Sequence, residues 1–380
     1  MKIIHIVNSL KKGGAEGNLY RLCKFQKKKY KNQIKITIIT LIDNGFYETN
    51  LKKLGVKVFS LKMNKQSKFF NFIKKIIQLR KLLKKQNPDI IQSWMYHSNF
   101  ITLLVQREFY SKIFWNIRHS ELNTQISKIT TIYISIICGL FSKIVPKKII
   151  YCSERSKLFH ENQHFYKRSK SSLIENGFSD KTYFSSKKLR FKFRKKNNIN
   201  NLDLILGFAG RYARQKNIPS LLFAFSKIVK IYNNLYLYMV GSDINKSNKE
   251  LVNLVEKLKI KDKVFFLNEQ KNLVEFYNGI DLLVLTSHSE SFPNVIAESM
   301  LCSTPVLSSN AGCAKKIIND CGFVIMKNDS KSIIQGLKKS INLFKSNKNY
   351  WKYLKNNSQI QIKRNFSIQK MADLYIKIWT

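Results

Sequence analysis

Short apolar runs alternate along the chain with longer amphipathic segments. Runs at residues 3–7, 113–117 and 204–209 have the length of buried strands. Residues 69–85 place their apolar side chains on one stripe of a helix and their lysines on the rest of its surface. Because parallel strands need helical crossovers between them, this alternation predicts a parallel α/β fold.

The predicted strands fall into two sets. They lie at residues 3–7, 34–41, 56–61, 88–94 and 113–117, and then at 204–209, 235–240, 264–267, 281–286 and 305–308. Residues 185–201, between the sets, are highly charged and contain no clear strand. We therefore predict two Rossmann-like, doubly wound domains at 1–185 and 186–360, with a terminal helix at 361–380 that crosses back to the first domain. Ligands are expected at the carboxyl ends of the strands and in a cleft between the domains.

The composition excludes several classes of protein. With 380 residues and 12% aromatic side chains, the chain can bury more than one core, unlike a disordered segment. Its six cysteines form no metal-site or disulfide-framework spacing, so we expect reduced thiols in the cytoplasm. The first apolar run is too short for a signal peptide. Residues 129–142 carry no charge, but as a helix they reach only about 21 Å, so we expect a buried helix there.

The net charge of +45 is extreme, and its excess is greatest around residues 24–35 and 62–85. Such a charge attracts polyanions, either nucleic acid or an anionic membrane. An equally weighted interpretation is a general enrichment in lysine, with most of the lysines simply solvated. Aromatic and basic residues are not interleaved in any one segment, which argues against nucleic acid as a partner.

Two carboxylates follow one predicted strand of the second domain. Glu290 lies in the loop after the strand, and Glu298 lies about one turn inside a helix that Pro293 is suited to start. Backbone N–H groups at that helix start, those of Asn294 and Val295, can bind an anion such as phosphate. A carboxylate can also accept two hydrogen bonds from the vicinal diol of a ribose or hexose. The segment therefore predicts a site for a phosphorylated sugar.

Two cations follow another predicted strand of the same domain. Arg211 and Lys216 lie in the loop after residues 204–209, where they could neutralise a departing diphosphate. No Asp-x-Asp pair occurs in the chain, so the sequence offers no obvious magnesium site of that kind. We therefore predict chemistry without a metal or other cofactor.

The Glu-x7-Glu pattern of Glu290 and Glu298 resembles that of the retaining nucleotide-sugar glycosyltransferases of GT-B fold, family 4 (group 1) type. Further segments occur in the order found in that family. They are Gly13-Gly14, the stretch around His97, the stretch around His119, Asn176-Gly177, Gly210-Arg211 with Lys216, and Gly241.

The resemblance implies a sugar transfer from a nucleoside-diphosphate sugar with retention of anomeric configuration. It assigns the diphosphate to Arg211 and Lys216, the ribose diol to Glu298, and the hexose to Glu290 and His119. Gly14 would line the facing wall. Together with the basic first domain, it also implies a lipid-linked saccharide acceptor, used in surface polysaccharide assembly by a cytoplasmic enzyme held at an anionic inner membrane face.

Three alternatives remain open at this stage. The nearest is a GT-B-shaped epimerase or hydrolase that acts on a nucleotide sugar without an acceptor. His160-Glu161-Asn162-Gln163-His164 is a literal HExxH pattern, so a zinc hydrolase is a distant alternative. A basic nucleic-acid-binding protein is the third.

Overall fold

The computed structural model describes residues 1–42, 45–63, 69–109, 112–122 and 127–380. Its strands are β1 (Lys2–Val7), β2 (Lys35–Thr40), β3 (Lys57–Ser60), β4 (Ile90–Trp94), β5 (Ile113–Ile117), β6 (Lys148–Tyr151), β7 (Ser171–Leu173), β8 (Leu204–Ala209), β9 (Leu235–Val240), β10 (Val264–Phe266), β11 (Leu282–Leu285), β12 (Val306–Ser309) and β13 (Phe323–Ile325). The α-helices are α1 (Gly14–Tyr30), α2 (Glu48–Lys53), α3 (Phe69–Gln86), α4 (Tyr96–Val105), α5 (Ile129–Phe141), α6 (Glu154–Gln163), α7 (Lys187–Lys196), α8 (Ile218–Ile228), α9 (Lys249–Lys257), α10 (Val274–Gly279), α11 (Asn294–Leu301), α12 (Ala314–Ile318), α13 (Ser330–Ser346), α14 (Lys348–Asn365) and α15 (Ile368–Trp379).

The chain divides into two units, each built on its own parallel sheet. The first unit contains Met1–Gly177 and Ile368–Thr380, and the second contains Phe178–Ser367. The sequence had suggested boundaries at 185 and 360. The division at 177 precedes α7, whose Arg190 and Arg194 both pair with Asp281 in the second unit, at 2.6 and 3.4 Å. The charged stretch after residue 185 therefore forms a helix of the second unit.

The two sheets share one strand order, except that the first has an additional edge strand, β7. The first runs β3-β2-β1-β4-β5-β6-β7 and the second β10-β9-β8-β11-β12-β13, and every neighbouring pair is parallel. In each sheet the order reverses at one point, between β1 and β4 and between β8 and β11. Loops on either side of such a reversal open a crevice at the carboxyl ends of the strands. The predicted Rossmann-like α/β class is confirmed for both units.

Helices cover both faces of the first sheet. Alternate residues of β1 face opposite sides, Ile4 and Ile6 towards α3, α4 and α5, and Ile3 and Val7 towards α1, α2 and α15. The last helix is held by buried hydrogen bonds, including one of 3.0 Å from the Trp379 indole to the side chain of Gln92. Because helices bury both faces of the sheet, residues on both sides of each strand are apolar, and the strands appear in the sequence as continuous apolar runs.

Helix α5 corrects one expectation. Its bounds agree with the uncharged segment, but only Ser135, Cys138 and Gly139 are buried, and much of its apolar surface is exposed. Uniform apolar composition had suggested full burial, whereas the helix covers the sheet with one side only. Among the described residues, no helix is long and apolar enough to cross a bilayer.

Candidate functional site

Lys216 and Glu290 meet at the strand-order reversal of the second sheet. Lys216 lies in a short 3-10 turn after β8, and Glu290 lies in the loop between β11 and α11. The Lys216 ammonium contacts Glu290 Oε1 directly, and the two side chains are only 12% and 11% exposed. Since β8 and β11 are neighbours in the sheet, parallel pairing brings the ends of both strands to one edge. The structure thus joins two residues that the sequence placed 74 positions apart.

Hydrogen bonds tie the two loops together. The Ser287 hydroxyl donates to Glu290 Oε1 at 2.7 Å. The same carboxylate oxygen therefore accepts hydrogen bonds from both the Lys216 ammonium and the Ser287 hydroxyl. The His288 N–H donates to the Gln215 carbonyl at 2.8 Å, and the Thr286 hydroxyl donates to the Lys216 carbonyl at 3.2 Å. The pair is therefore held by backbone connections as well as by charge.

Two glycines make room for these loops. Gly312 has a φ of 61°, and a Cβ added there would lie 2.1 Å from the Glu290 carbonyl oxygen. Gly241 has a φ of 151°, and its added Cβ would lie 2.0 Å from the Gly210 carbonyl oxygen. Both positions need glycine for backbone conformation and for space. They bring neighbouring loops into close backbone contact beside Lys216 and Glu290.

Helix α11 begins directly after the Glu290 loop. Pro293 is its N-cap, and Asn294 and Val295 are its first two residues. The N–H groups of a helix's first turn have no intrahelical acceptor, and the helix dipole places partial positive charge there. The Ile296 N–H already donates to the Pro293 carbonyl at 3.1 Å. This helix start therefore offers backbone donors to an anion beside the Lys216–Glu290 pair.

Glu298 lies one turn further into α11 and has its own support. The Tyr277 hydroxyl, from α10, donates to Glu298 Oε2 at 2.9 Å, and the Glu298 residue is 7% exposed. Burial raises the pKa of Tyr277 well above its ordinary value, and the neighbouring Glu298 charge raises it further. The phenol is therefore a neutral donor at every physiological pH. It fixes one carboxylate oxygen, which retains capacity for a second hydrogen bond.

Arg211 occupies the same loop as Lys216 but a different environment. It directly follows Gly210 at the end of β8 and its side chain is exposed. Within the described ranges it forms neither an ion pair nor a side-chain hydrogen bond. An exposed guanidinium at this edge is accessible to an incoming anion.

Comparisons with known proteins agree with this arrangement. Residues 190–358 match the family model described as glycosyl transferases group 1. CapM of Staphylococcus aureus, a capsular polysaccharide biosynthesis glycosyltransferase, is 25% identical over 301 residues, 74% of this chain and 74% of CapM. WclY of Escherichia coli, an O-antigen biosynthesis glycosyltransferase, is 30% identical over 147 residues, 38% of this chain and 39% of WclY. The crystal structure of Anabaena HepE in complex with UDP and glucose superposes with a TM-score of 0.82 and 20% identity, over 99% of this chain and 98% of HepE.

Residues 190–358 therefore form a group 1 glycosyltransferase domain, and the chain has the GT-B fold. The matched residues include Arg211, Lys216, Glu290 and Glu298, so the site lies inside the recognised domain. The predictions of the fold and of a glycosyltransferase activity are confirmed.

The other two predicted site residues of this glycosyltransferase belong to the first unit. His119 follows β5 with an exposed side chain, and its ring packs edge-on against Tyr96 at 5.8 Å between centroids. The His119 carbonyl accepts a hydrogen bond from the Ser156 hydroxyl, which fixes the loop. Gly14 is the first residue of α1, after β1, and it is exposed. Both residues therefore follow strands at or beside the reversal of the first sheet.

Sequence reasoning missed Ser287, Tyr277 and Gly312. Ser287 lies three residues before Glu290 in a polar loop, and that spacing could have indicated a supporting hydroxyl. Tyr277 reaches Glu298 from another helix, so only tertiary structure reveals the contact. Gly312 follows β12, and no pattern in the chain links it to the Glu290 loop.

The HExxH pattern of the glycosyltransferase has a structural explanation. His160 Nε2 hydrogen-bonds the Tyr96 hydroxyl at 2.7 Å, and its Nδ1 hydrogen-bonds the Ser156 carbonyl at 2.6 Å. His164 Nδ1 hydrogen-bonds the Ser135 hydroxyl at 2.7 Å. Burial lowers the pKa of His160 to about 3, so the ring is a neutral core group. Because both ring nitrogens of His160 are hydrogen-bonded within the core, His160 is not placed to bind zinc. The structure therefore argues against the zinc-hydrolase alternative.

Proposed function

We propose that this enzyme transfers a sugar from a nucleoside-diphosphate sugar to a lipid-linked saccharide in bacterial surface polysaccharide biosynthesis, with retention of configuration. The observation that carries the proposal is the meeting of Lys216 and Glu290 at the switch point of the second sheet. The kinship with CapM and WclY supports a role in polysaccharide assembly. The likeness to HepE, solved with UDP and glucose, supports a nucleotide-sugar donor.

The proposed mechanism starts with an exchange of partners at Lys216. A bound diphosphate competes with Glu290 for the ammonium, and its oxygens also meet Arg211 and the N–H groups of Asn294 and Val295. Negative charge grows on the diphosphate as the sugar departs, so these preorganised donors stabilise the transition state more than the ground state. Lys216 and Arg211 supply this charge from the protein, in a mechanism that uses no metal.

Glu290, released from Lys216, accepts hydrogen bonds from hydroxyls of the transferred sugar. Its bond from Ser287 holds one carboxylate oxygen in place during the exchange. Glu298, fixed by Tyr277, accepts from the ribose diol. His119 hydrogen-bonds the transferred sugar, and Gly14 permits close backbone approach to the donor or acceptor. These residue roles follow the family resemblance to retaining, family 4 enzymes.

The acceptor hydroxyl attacks from the side on which the diphosphate leaves. The departing diphosphate takes the hydroxyl proton, so no protein nucleophile is required. We place the reaction at the cytoplasmic face of the membrane, where a lipid-linked acceptor is available. Product analysis by proton NMR would give the anomeric configuration. An inverted product would reject the retaining mechanism without rejecting the donor site.

The test of the site is the Lys216→Ala variant. We expect turnover to fall at least about a hundredfold, the effect typical of removing one preorganised charge contact. Lys230→Ala, an exposed lysine of the same unit, is the matched control and should transfer normally. Circular dichroism and thermal unfolding would verify that both variants remain folded. Near-normal transfer by folded Lys216→Ala would reject the diphosphate role.

The donor and the need for an acceptor are tested separately. Thermal shift with a panel of nucleoside-diphosphate sugars identifies the base and sugar that bind. Consumption of the preferred donor is then measured with and without a lipid-linked saccharide. Acceptor-dependent release of nucleoside diphosphate supports transfer, whereas full turnover without acceptor would favour an epimerase or hydrolase.

A further inference from the structure

Helix α5 presents a row of large apolar side chains to solvent. The row continues into the turn after the helix, and its members are between 37% and 63% exposed. They are Ile129, Tyr133, Ile137, Leu140, Phe141 and Ile144, called here the α5 face. Apart from the adjacent Leu140 and Phe141, successive members are three or four residues apart, which places the helical ones on one side of α5. Scattered apolar residues are ordinary on a protein surface, but a continuous row marks an interaction site.

The opposite side of α5 fixes the orientation of this row. Ser135 and Cys138 are buried, and Gly139 packs so closely that an added Cβ would lie 1.6 Å from the His164 carbonyl oxygen. The Ser135 hydroxyl also hydrogen-bonds His164. A helix anchored in this way cannot rotate to hide its apolar face, so the exposure is a built feature of the first unit.

The charged residues on and next to α5 in the sequence are all basic. Between Glu121 and Glu154 the chain contains no Asp or Glu. Lys128 and Lys143 flank the helix and are exposed, and Lys167 lies in the loop whose N–H donates to the Ser142 hydroxyl at 2.8 Å. Apolar side chains rimmed by lysines match an anionic bilayer, which offers hydrocarbon below a layer of negative headgroups.

Helix α3 repeats the pattern on the same face of the first sheet. Its buried residues join α4 and α5 in one core cluster. Its outer side exposes Phe70, Ile73 and Ile77, with Lys74 and Lys81 exposed nearby. Two helices of one layer thus share the same combination of apolar and cationic side chains.

We infer that the α5 face docks the glycosyltransferase onto an anionic phospholipid surface by inserting its apolar side chains. At thirteen residues α5 is about 20 Å long, so it lies in the interface and does not span the bilayer. The inference deepens the proposed function, since it names the surface that brings the enzyme to a lipid-linked acceptor. Charge complementarity selects a bilayer over a second copy of this chain, which carries the same lysines.

The experiment is co-sedimentation of the full chain with vesicles of phosphatidylcholine, alone or with 30% phosphatidylglycerol as a rough working composition. We expect binding that depends on phosphatidylglycerol and weakens at high salt. The variant Ile137→Ser/Leu140→Ser/Phe141→Ser should bind at least about tenfold more weakly, because three buried apolar contacts are lost. The matched control Leu202→Ser/Ile231→Ser/Met326→Ser removes three exposed apolar residues of the second unit and should bind like the wild type.

Insertion itself is measured with Tyr133→Trp. The four native tryptophans are at most 7% exposed, so a blue shift on vesicle addition and quenching by brominated lipid would report the new side chain. Wild-type vesicle binding by the triple α5 variant, or equal binding to vesicles without phosphatidylglycerol, would overturn the inference. A wild-type dimer that the α5 variant converts to a monomer would assign the face to a second copy instead.

The proposed function is tested independently of the docking surface. UDP-sugar binding by the triple α5 variant, measured by thermal shift, should equal that of the wild type because no α5 residue belongs to the donor site. Failure of vesicle binding with intact donor binding would reject only the docking surface. Failure of Lys216→Ala to lose activity would reject only the donor site.

Discussion

Lys216 and Glu290 form a nearly buried ion pair, which the donor separates in the proposed mechanism. An ammonium and a carboxylate at 12% and 11% exposure lose much of their hydration, and each compensates the other. A diphosphate carries more charge than one carboxylate and can replace it as the partner of Lys216. In the proposed mechanism, the pair keeps the cation oriented before the donor arrives, and the donor determines when Glu290 becomes available to the sugar.

This competition predicts opposite effects of Glu290→Gln on binding and on transfer. Without the Glu290 charge, Lys216 has no competing anion, so the nucleoside diphosphate of the preferred donor should bind several-fold more tightly. Sugar transfer should fall at least tenfold (about 1.4 kcal/mol), because a neutral amide is a weaker acceptor for the sugar hydroxyls. Calorimetry with that nucleoside diphosphate and steady-state turnover measure the two effects. Weaker nucleotide binding by the variant would contradict the competition.

A second prediction concerns the support of Glu298. Tyr277→Phe removes the hydroxyl that donates to Glu298 Oε2 and leaves a largely buried carboxylate short of one donor. Loss of such a bond costs about 1–3 kcal/mol. We expect a KM for the donor several-fold higher, a smaller change in kcat, and a lower melting temperature. Tyr183→Phe, a neighbouring tyrosine whose ring lies 6.4 Å from that of Tyr277, is the control for loss of a nearby hydroxyl. An unchanged donor KM in Tyr277→Phe would remove Glu298 from ribose binding.

At the scale of single residues, the sequence indicated the charged site residues better than the residues that hold them in place. Lys216 and Glu290 could be found because charges after strands in a mostly apolar context are conspicuous. The contacts of Tyr277 with Glu298 and of Gly312 with the Glu290 loop join distant parts of the chain. Such contacts leave no local periodicity, so a single sequence cannot indicate them.

At the scale of the element, most strands and the long amphipathic helix could be predicted from their patterns. The ten predicted strands are present, and α3 extends only one residue beyond its predicted end. The strands β6, β7 and β13 were missed. The apolar runs of β6 and β13 could have indicated them, since the equally short β10 was predicted. Strand β7 reads Ser-Ser-Leu, so its strand conformation comes from pairing with β6, which overrides weak local propensity.

Helix α6 makes the stability of the first unit depend on pH. Burial lowers the pKa of His160 to about 3, against about 6.5 for an unfolded chain. Below pH 6.5 the unfolded state takes up a proton that the folded state does not, so stability is full above that pH and falls as the pH approaches 3. At pH 5 the loss from His160 is about 2 kcal/mol.

We therefore expect His160→Gln to flatten the pH dependence of unfolding. Urea unfolding at pH 7 and pH 5 should show a loss of stability about 2 kcal/mol smaller in the variant than in the wild type. The variant is also less stable at pH 7, because the bonds to Tyr96 and Ser156 are altered. Gln163→Asn, an exposed substitution on the same helix that changes no titratable group, should leave the pH dependence unchanged. Identical slopes for wild type and His160→Gln would show that His160 does not carry this effect.

At the scale of the whole molecule, the chain passes between its units twice, at 177–178 and at 367–368. The two ends of the second unit are hydrogen-bonded, since the Phe178 N–H donates to the Phe366 carbonyl at 2.9 Å. The second unit is therefore one continuous segment, whereas the first unit needs α15 from the far end of the chain. The sequence predicted a second domain from residue 186 and a terminal helix from residue 361 that returns to the first domain, and the structure has the two crossings at 177–178 and 367–368.

This connectivity predicts unequal behaviour of two fragments. Residues 178–367 contain a complete six-stranded sheet together with Arg211, Lys216, Glu290 and Glu298. We expect this fragment to fold cooperatively and to bind the nucleoside diphosphate of the preferred donor within about tenfold of the full chain (about 1.4 kcal/mol), as measured by calorimetry. The Lys216→Ala version of the fragment is the control and should lose that binding. A folded fragment without this affinity would mean that the charged cluster is insufficient for nucleotide binding.

Residues 1–177 alone should be unstable, because they lack α15. Without it, the buried Arg118 loses the Tyr375 hydroxyl and Gln92 loses the Trp379 indole, while the apolar surface under Met371 and Ala372 opens to water. Each unpaired buried polar group costs about 1–3 kcal/mol, which together with the lost burial approaches the whole stability of a domain. Joining Ile368–Thr380 to Gly177 through a short Gly-Ser linker should restore a cooperative thermal transition. Equal stability of the two versions would show that α15 is dispensable to the first core.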